Sequence, residues 1–417
     1  MEQRKEIASP RKKTLRERLN AIGPGAIVTA SFIGPGTVTT ASRAGATFGT
    51  ALLWAIVFSI LATIVLQEMS ARLGIMTQKG LGAAIRDHFK NPLFKYASMS
   101  LVLLAILVGC SAYMAGDLLG TSLGISTLTG LSPNLLAPLF GVVILVIGLS
   151  GSYKIIEKTM IGLIVVMSVT FITTMVVARP NMGDVFQGAF IPTLPDSSII
   201  MVIALIGTTV VPYNLFLHSE NVIERWNSPK HLADSRWDII ISISIGGFIT
   251  AAILITAATM IQGMEIGNVA DMSIQLEPLL GSWALVFTSI GLFAAGFSSA
   301  LASALGAAIT ASSVLKWKGG MKNIRFKLVF ALIIVIGIIT SSLGFEPLDV
   351  LLTAQALNGL LLPFVSIMLL IVMNNKNRLG NYVNSVKMNI IGGIVVLICT
   401  GLGFYSLVDA IRAFIGA

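Results

Sequence analysis

The sequence predicts an all-α integral membrane protein of about eleven spans, built as two five-span halves plus one extra helix, with spans 1 and 6 broken. Three observations predict it: the composition, the spacing of the apolar runs, and two proline-bearing interruptions five spans apart. Of 417 residues, 55% are hydrophobic and 11% charged, and the mean hydropathy is +0.88, more apolar surface than a water-soluble core can bury. A span needs about 20 apolar residues. Such runs lie at roughly 21–45, 48–71, 97–121, 135–150, 156–178, 198–223, 238–262, 279–313, 328–343, 348–373 and 388–411. Residues 1–20 form a basic tail and residues 21–417 one transmembrane domain. Its repeats fall at about 21–178 and 198–373, and the extra helix at about 388–411. No cleavable leader is expected, because the basic tail with Pro10 precedes a glycine-rich span without a small-residue cleavage pattern.

Orientation follows from Lys and Arg, which collect on the cytoplasmic side. The tail holds seven, and the second, fourth, sixth, eighth and tenth connections hold five, two, three, five and three, so 25 of 28 lie on one side. Only Arg43, Arg179 and Arg412 fall on the other, where Asp184, Asp196, Glu265, Asp271, Glu277, Glu346 and Asp349 lie. A multi-pass protein of the cell membrane is expected, with its N-terminus cytoplasmic and its C-terminus outside. The net charge of +9 matches this asymmetry and anionic headgroups, and does not call for nucleic acid. No partner subunit is demanded, so a monomer is expected.

Span 1 reads Ser31-Phe32-Ile33-Gly34-Pro35-Gly36-Thr37-Val38-Thr39-Thr40, and span 6 reads Gly207-Thr208-Thr209-Val210-Val211-Pro212-Tyr213-Asn214. Proline removes a donor and clashes one turn back, and glycine lets the backbone approach a ligand. Matched breaks in the two halves are the pattern of an inverted-repeat secondary transporter whose site lies between them. The bland alternative is a pair of kinked helices satisfied by their neighbours.

The stretches Gly23-Pro24-Gly25, Ser31 to Gly45, Leu66-Gln67-Glu68-Met69-Ser70-Ala71-Arg72-Leu73-Gly74-Ile75 and Pro212-Tyr213-Asn214-Leu215-Phe216-Leu217-His218-Ser219 resemble the natural-resistance-associated macrophage proteins, NRAMP, over nearly the whole chain. The resemblance implies a LeuT-type fold and, for typical members, proton-coupled uptake of divalent transition metals. It also implies departures at the site. Typical members carry Asp-Pro-Gly-Asn in the first break and Met-Pro-His in the sixth. Here Gly34 stands for the Asp, Thr37 for the Asn, Thr208 for an Ala, Val211 for the Met and Tyr213 for the His.

A divalent ion leaving water needs oxygen or softer donors, usually with an anionic ligand among them. Glycine amides, hydroxyls and half-helix N-termini suit an anion instead. The expected substrate is therefore a small anionic or zwitterionic solute, such as bicarbonate, a short carboxylic acid or an amino-acid derivative. Gly34, Gly36, Thr37, Gly207, Thr208, Val211 and Tyr213 would hold it, with Gln355 at the position of a family glutamine. No resident metal or cofactor is expected. The alternative is proton-coupled transport of Mn, Fe or Mg ions, with carbonyls, Gln355 or water replacing the lost ligands. A third reading keeps the fold as a sensor or scaffold, but leaves Asp117, His218 and both prolines without a purpose.

Asp117 lies in span 3 where the family carries a proton-path acid, and a second family acid is Met114 here. An acid inside a span costs roughly 2.5–3.5 kcal/mol and is a functional candidate by default; a bland reading places Asp117 at the outer interface, capping amides. His218 is the family histidine of span 6 and a candidate relay. Glu68 and Arg72, one turn apart, are expected to form a local ion pair. Residues 80–90, with His88, read as an amphipathic piece on the inner membrane surface. Cys110 and Cys399 read as small hydrophobes. With three histidines and two cysteines, neither a nucleophile–base set nor zinc spacing appears, so an enzyme is not expected.

Overall fold

A computed structural model describes residues 23–150 and 153–415, so the basic tail lies outside the described residues. Every segment read as a span is helical, and the described residues contain no strand. Span 1 is the pair α1 (Pro24–Phe32) and α2 (Pro35–Phe48). It is followed by α3 (Leu53–Thr77), the short α4 (Leu81–His88), α5 (Pro92–Thr129), α6 (Pro133–Leu149), α7 (Tyr153–Ala178) and a loop helix α8 (Met182–Phe190). Span 6 is the pair α9 (Ile199–Thr209) and α10 (Pro212–Arg225). The second half continues with α11 (Leu232–Met260), α12 (Ala284–Val314), α13 (Ile324–Ser341) and α14 (Pro347–Met373), and α15 (Val386–Ile415) is the extra helix. Among the described residues, eight helical segments are long and apolar enough to cross a membrane, and shorter apolar helices, including α6, occupy other span positions.

Burial sorts the spans by position. In the apolar window of span 6, 83% of residues are buried, against 22% in that of α15, so span 6 is central and α15 lies on the rim. The exposed large apolar residues cluster on peripheral helices, for example Leu104 on α5, Leu135 and Val146 on α6, and Leu397 on α15. That is the surface a bilayer covers.

Two breaks sit at the centre, and they share one geometry. Ile33 (φ −80°, ψ 78°) and extended Gly34 (φ −107°, ψ −178°) precede Pro35. Val210 (φ −93°, ψ 72°) and extended Val211 (φ −83°, ψ 122°) precede Pro212. In both, proline pushes the preceding residue out of the helical region and then serves as the first residue of the next helix, where its missing N–H costs nothing. The first break residue closes its helix in each case: Ile33 N–H donates to Thr29 O and Val210 N–H to Ile206 O.

One end of the helix bundle is tied by charge. The Asp238 carboxylate of α11 accepts from Gly23 N–H (2.9 Å) and Gly25 N–H (2.7 Å), capping the start of α1 where the helix dipole is positive. The expected Glu68–Arg72 pair is present at 3.1 Å, but it belongs to a larger network. Glu68 also accepts from Arg236 at 2.8 Å, and Arg72 donates to Tyr382 O, Val383 O and Asn384 Oδ1. This network joins α3, α11 and the segment before α15, beside a cavity of about 380 Å³. Glu68→Ala would leave the Arg72 guanidinium, 5% exposed, without its counter-charge. We expect a lower melting temperature, from a loss of about 3–5 kcal/mol; an unchanged melt would mean the carbonyls alone satisfy Arg72.

The amphipathic piece does not rest on the membrane surface. Leu81, Ala84 and Ile85 of α4 are buried within the protein. The N–H groups of Leu81 and Ala83 donate to Ser219 and Ser313 (2.9 and 3.1 Å), and Arg378 donates to Ala84 O and Asp87 O. Burial and nearby Arg378 lower the His88 pKa, so this imidazole favours the neutral form. On the opposite side, Arg43 pairs with Asp349 at 2.9 Å and donates to Ile266 O, joining α2 to α14. Both cysteines are free and buried.

Candidate functional site

The two breaks meet. Thr208 Oγ1 lies 2.5 Å from Thr37 Oγ1, and Thr37 in turn donates to Phe32 O, the last carbonyl of α1. The hydroxyl pair thus links the first turn of α2 to the last turn of α9, beside the two breaks, and satisfies a carbonyl freed by the first break. Gly34 N–H donates to Phe32 O at 2.9 Å. Tyr213 sits at the start of α10, its hydroxyl 3.4 Å from Ser31 O, and stacks edge-on against Tyr113 of α5 at 6.1 Å between centroids. Tyr113 donates to Gly207 O at 2.9 Å. Ser31 Oγ lies 2.7 Å from the Asn214 carboxamide.

Glycines allow this close approach. A Cβ on Gly207 would lie 2.0 Å from Gln355 O and 2.7 Å from Gly359 N, so α9 crosses α14 backbone to backbone. A Cβ on Gly36 would lie 1.9 Å from Gln355 Nε2, which places the Gln355 carboxamide against the first break. Gly306 of α12 makes room for the Tyr213 ring in the same way.

Gly34, Gly36, Thr37, Gly207, Thr208, Val211, Tyr213 and Gln355 are all buried. The fold gathers them around the paired breaks, except that Val211 contributes only an apolar side chain. Asp117 is not at an interface. It is 2% exposed, and its Oδ1 lies 3.5 Å from where a Cβ on Gly34 would be. His218 is fully buried in α10, two turns from Val211, with the Pro24 backbone carbonyl beside its ring. No group of three or more His, Cys, Asp or Glu that could hold a metal ion occurs among the described residues.

Sequence reasoning missed Ser299, Tyr113 and Asn214. Ser299 Oγ would stand 3.0 Å from a Gly34 Cβ and donates to Ser31 O at 3.4 Å. The signal for it was present in Ser298-Ser299 and Ser303, hydroxyls inside an otherwise alanine-rich span. Asn214 lies inside the quoted span 6 motif and Tyr113 next to Met114, yet only the packing shows what they touch.

The chain matches the family model described as natural resistance-associated macrophage protein-like over residues 25–409. The Eremococcus coleocola manganese transporter, solved with an aromatic bis-isothiourea compound, superposes with a TM-score of 0.79 at 22% identity, over 96% of this chain and 88% of that one. MhsT in complex with L-phenylalanine superposes at 0.61 and 15% identity, covering 91% of this chain and 98% of that one. Mhp1, a nucleobase-cation-symport-1 family transporter, gives 0.56 and 17%, covering 92% of each chain. The fold is therefore the LeuT type that the family resemblance implied, and the chain belongs to the NRAMP family of multi-pass membrane transporters.

Proposed function

We propose that this transporter carries a small solute with an anionic group, simple or zwitterionic, held between residues 34–37 and 207–213, and that it works by alternating access. One observation carries the reading. The two breaks face each other across the Thr37–Thr208 contact, and neither contributes a carboxylate, imidazole or thioether at Gly34, Thr37, Thr208, Val211 or Tyr213. What they do contribute is the N-termini of α2 and α10, each started by a proline, where backbone amides and the helix dipole favour negative charge. Such termini contribute roughly 0.3–1 kcal/mol each at exposed sites and up to about 2 when partly buried.

In this reading Gln355 closes over the solute from α14, and Asp117 and His218 supply proton or cation coupling. The N-terminus is cytoplasmic and the C-terminus outside. The protein acts as a monomer, without a resident cofactor or enzymatic activity. Solute transfer needs the half-helices α1 and α10 to move against the scaffold of α5 and α12, and the Asp238 cap on α1 is the contact that inward opening must release.

A second reading, divalent-cation transport, is favoured by the likeness to a manganese transporter and by two buried acceptor oxygens without partners, Asp117 Oδ2 and Gln355 Oε1. Uptake into proteoliposomes separates the two. We expect accumulation of labelled carboxylate, bicarbonate or amino acid, and no Mn²⁺ uptake above empty vesicles; Mn²⁺ uptake with none of the others would establish the second reading.

A further inference from the structure

Gly34 removes a carboxylate from the first break, but the space beside it is not empty of charge. The spot a residue-34 Cβ would occupy is 3.5 Å from Asp117 Oδ1, on α5, and 3.0 Å from Ser299 Oγ, on α12. Ser299 Oγ, which donates to Ser31 O at 3.4 Å, also stands at that spot, while Asp117 Oδ2 is buried with no hydrogen-bond partner. A buried carboxylate oxygen left unpaired is costly, and such atoms in native structures call for a missing partner. On the Gly36 side, Gln355 presents a second unpartnered acceptor, Oε1, with its Nε2 against the break. The break is thus bipolar. Helix N-termini offer positive potential, and two acceptor oxygens, one from a carboxyl group, stand beside them.

A simple anion would bring like charge to Asp117, and a bare divalent ion would find a single carboxyl group. We propose that Asp117 is a solute-contacting, specificity-determining residue, and that the solute is a small zwitterion. Its ammonium group is held by Asp117, with Gln355 Oε1 as a further acceptor, and its carboxylate lies at the N-termini of α2 and α10. This inference rests on the proposed function and narrows its substrate class.

Matched pairs that differ only in the ammonium group test it: glycine against acetate, and alanine or β-alanine against propionate. Binding of each to the purified full-length protein is measured by calorimetry, in the wild type and in Asp117→Asn, with Mn²⁺ as a further ligand. We expect at least one zwitterion to bind the wild type at least about tenfold more tightly than its partner acid. Asp117→Asn should reduce that ratio to near one, by weakening the zwitterion without weakening the acid. Wild-type preference for acetate or propionate, or an unchanged ratio in the variant, overturns the role of Asp117 and leaves the proposed function standing. Binding of Mn²⁺ alone overturns both. If the variant does not fold, the wild-type ratio still decides the substrate class, and Ser299→Ala, which keeps the carboxylate but removes the hydroxyl beside the same spot, should lower the ratio in the same direction.

Discussion

Gly34→Asp is expected to abolish solute binding, lowering affinity at least about a hundredfold, or about 2.7 kcal/mol. Backbone strain is not the cause, because residue 34 is extended, a conformation open to any residue. Sterically the site is tight but tolerant, the nearest atom being a serine hydroxyl at 3.0 Å. The effect is electrostatic. A carboxylate at 34 would stand beside Asp117 in a buried site, where like charges cost several kcal/mol unless a proton or a cation separates them. It would also oppose any anionic group brought to the N-terminus of α2. Calorimetry on the variant checks this, and solute binding at wild-type strength would show that the solute lies elsewhere.

Gly207→Ala should be the most damaging single methyl group in the site. Its Cβ would fall 2.0 Å from Gln355 O and 2.7 Å from Gly359 N, both backbone atoms, so α9 must separate from α14 to admit it. Overpacking of this kind costs roughly 1–3 kcal/mol, and more where backbone must move. Gly36→Ala is the informative contrast. The nominal clash is shorter, 1.9 Å, yet the atom met is the far end of a flexible side chain, Gln355 Nε2. We expect Gly207→Ala to lower the melting temperature markedly, and Gly36→Ala to leave it nearly unchanged while displacing Gln355. The opposite ranking would mean that the α9–α14 crossing is looser than its backbone contacts imply.

Much of the fold was legible because its signals are local. Gly34-Pro35-Gly36 and Pro212 marked the unwound segments, and the apolar runs located the spans. Arg43, one of three basic residues assigned to the outer side, pairs with Asp349, an acid assigned to the same side. Helix lengths were less legible. Helix α5 runs from Pro92 to Thr129, well beyond the apolar run at 97–121, because helical hydrogen bonding continues through serine, threonine and glycine that a hydropathy reading counts against a span. The surface placement of residues 80–90 was wrong for a tertiary reason. Ser219 and Ser313 satisfy the first amides of α4 and draw its apolar face into the protein.

The site was legible only as a set of backbone breaks and missing ligands. That Asp117 and Ser299 stand beside Gly34, and that Asp238 caps α1, depend on residues 83, 265 and 213 positions away from Gly34, Gly34 and Gly25, and no local pattern encodes such pairings. For Glu68 the local reading found Arg72 one turn on, but not Arg236, which comes from a different helix.

The measurement that bears most directly on the central claim is the melting temperature of the purified protein against manganese, magnesium, bicarbonate, small carboxylates and amino acids. A ligand that binds only the folded state stabilises it by about 2.7 kcal/mol at a hundred times its dissociation constant. We expect a carboxylate, bicarbonate or an amino acid to raise the melting temperature of the wild type and to have no effect on Gly34→Asp, with manganese inert toward the wild type. Stabilisation of the wild type by manganese alone would contradict the account, and would mean that carbonyls, Gln355 and Asp117 still make a metal site.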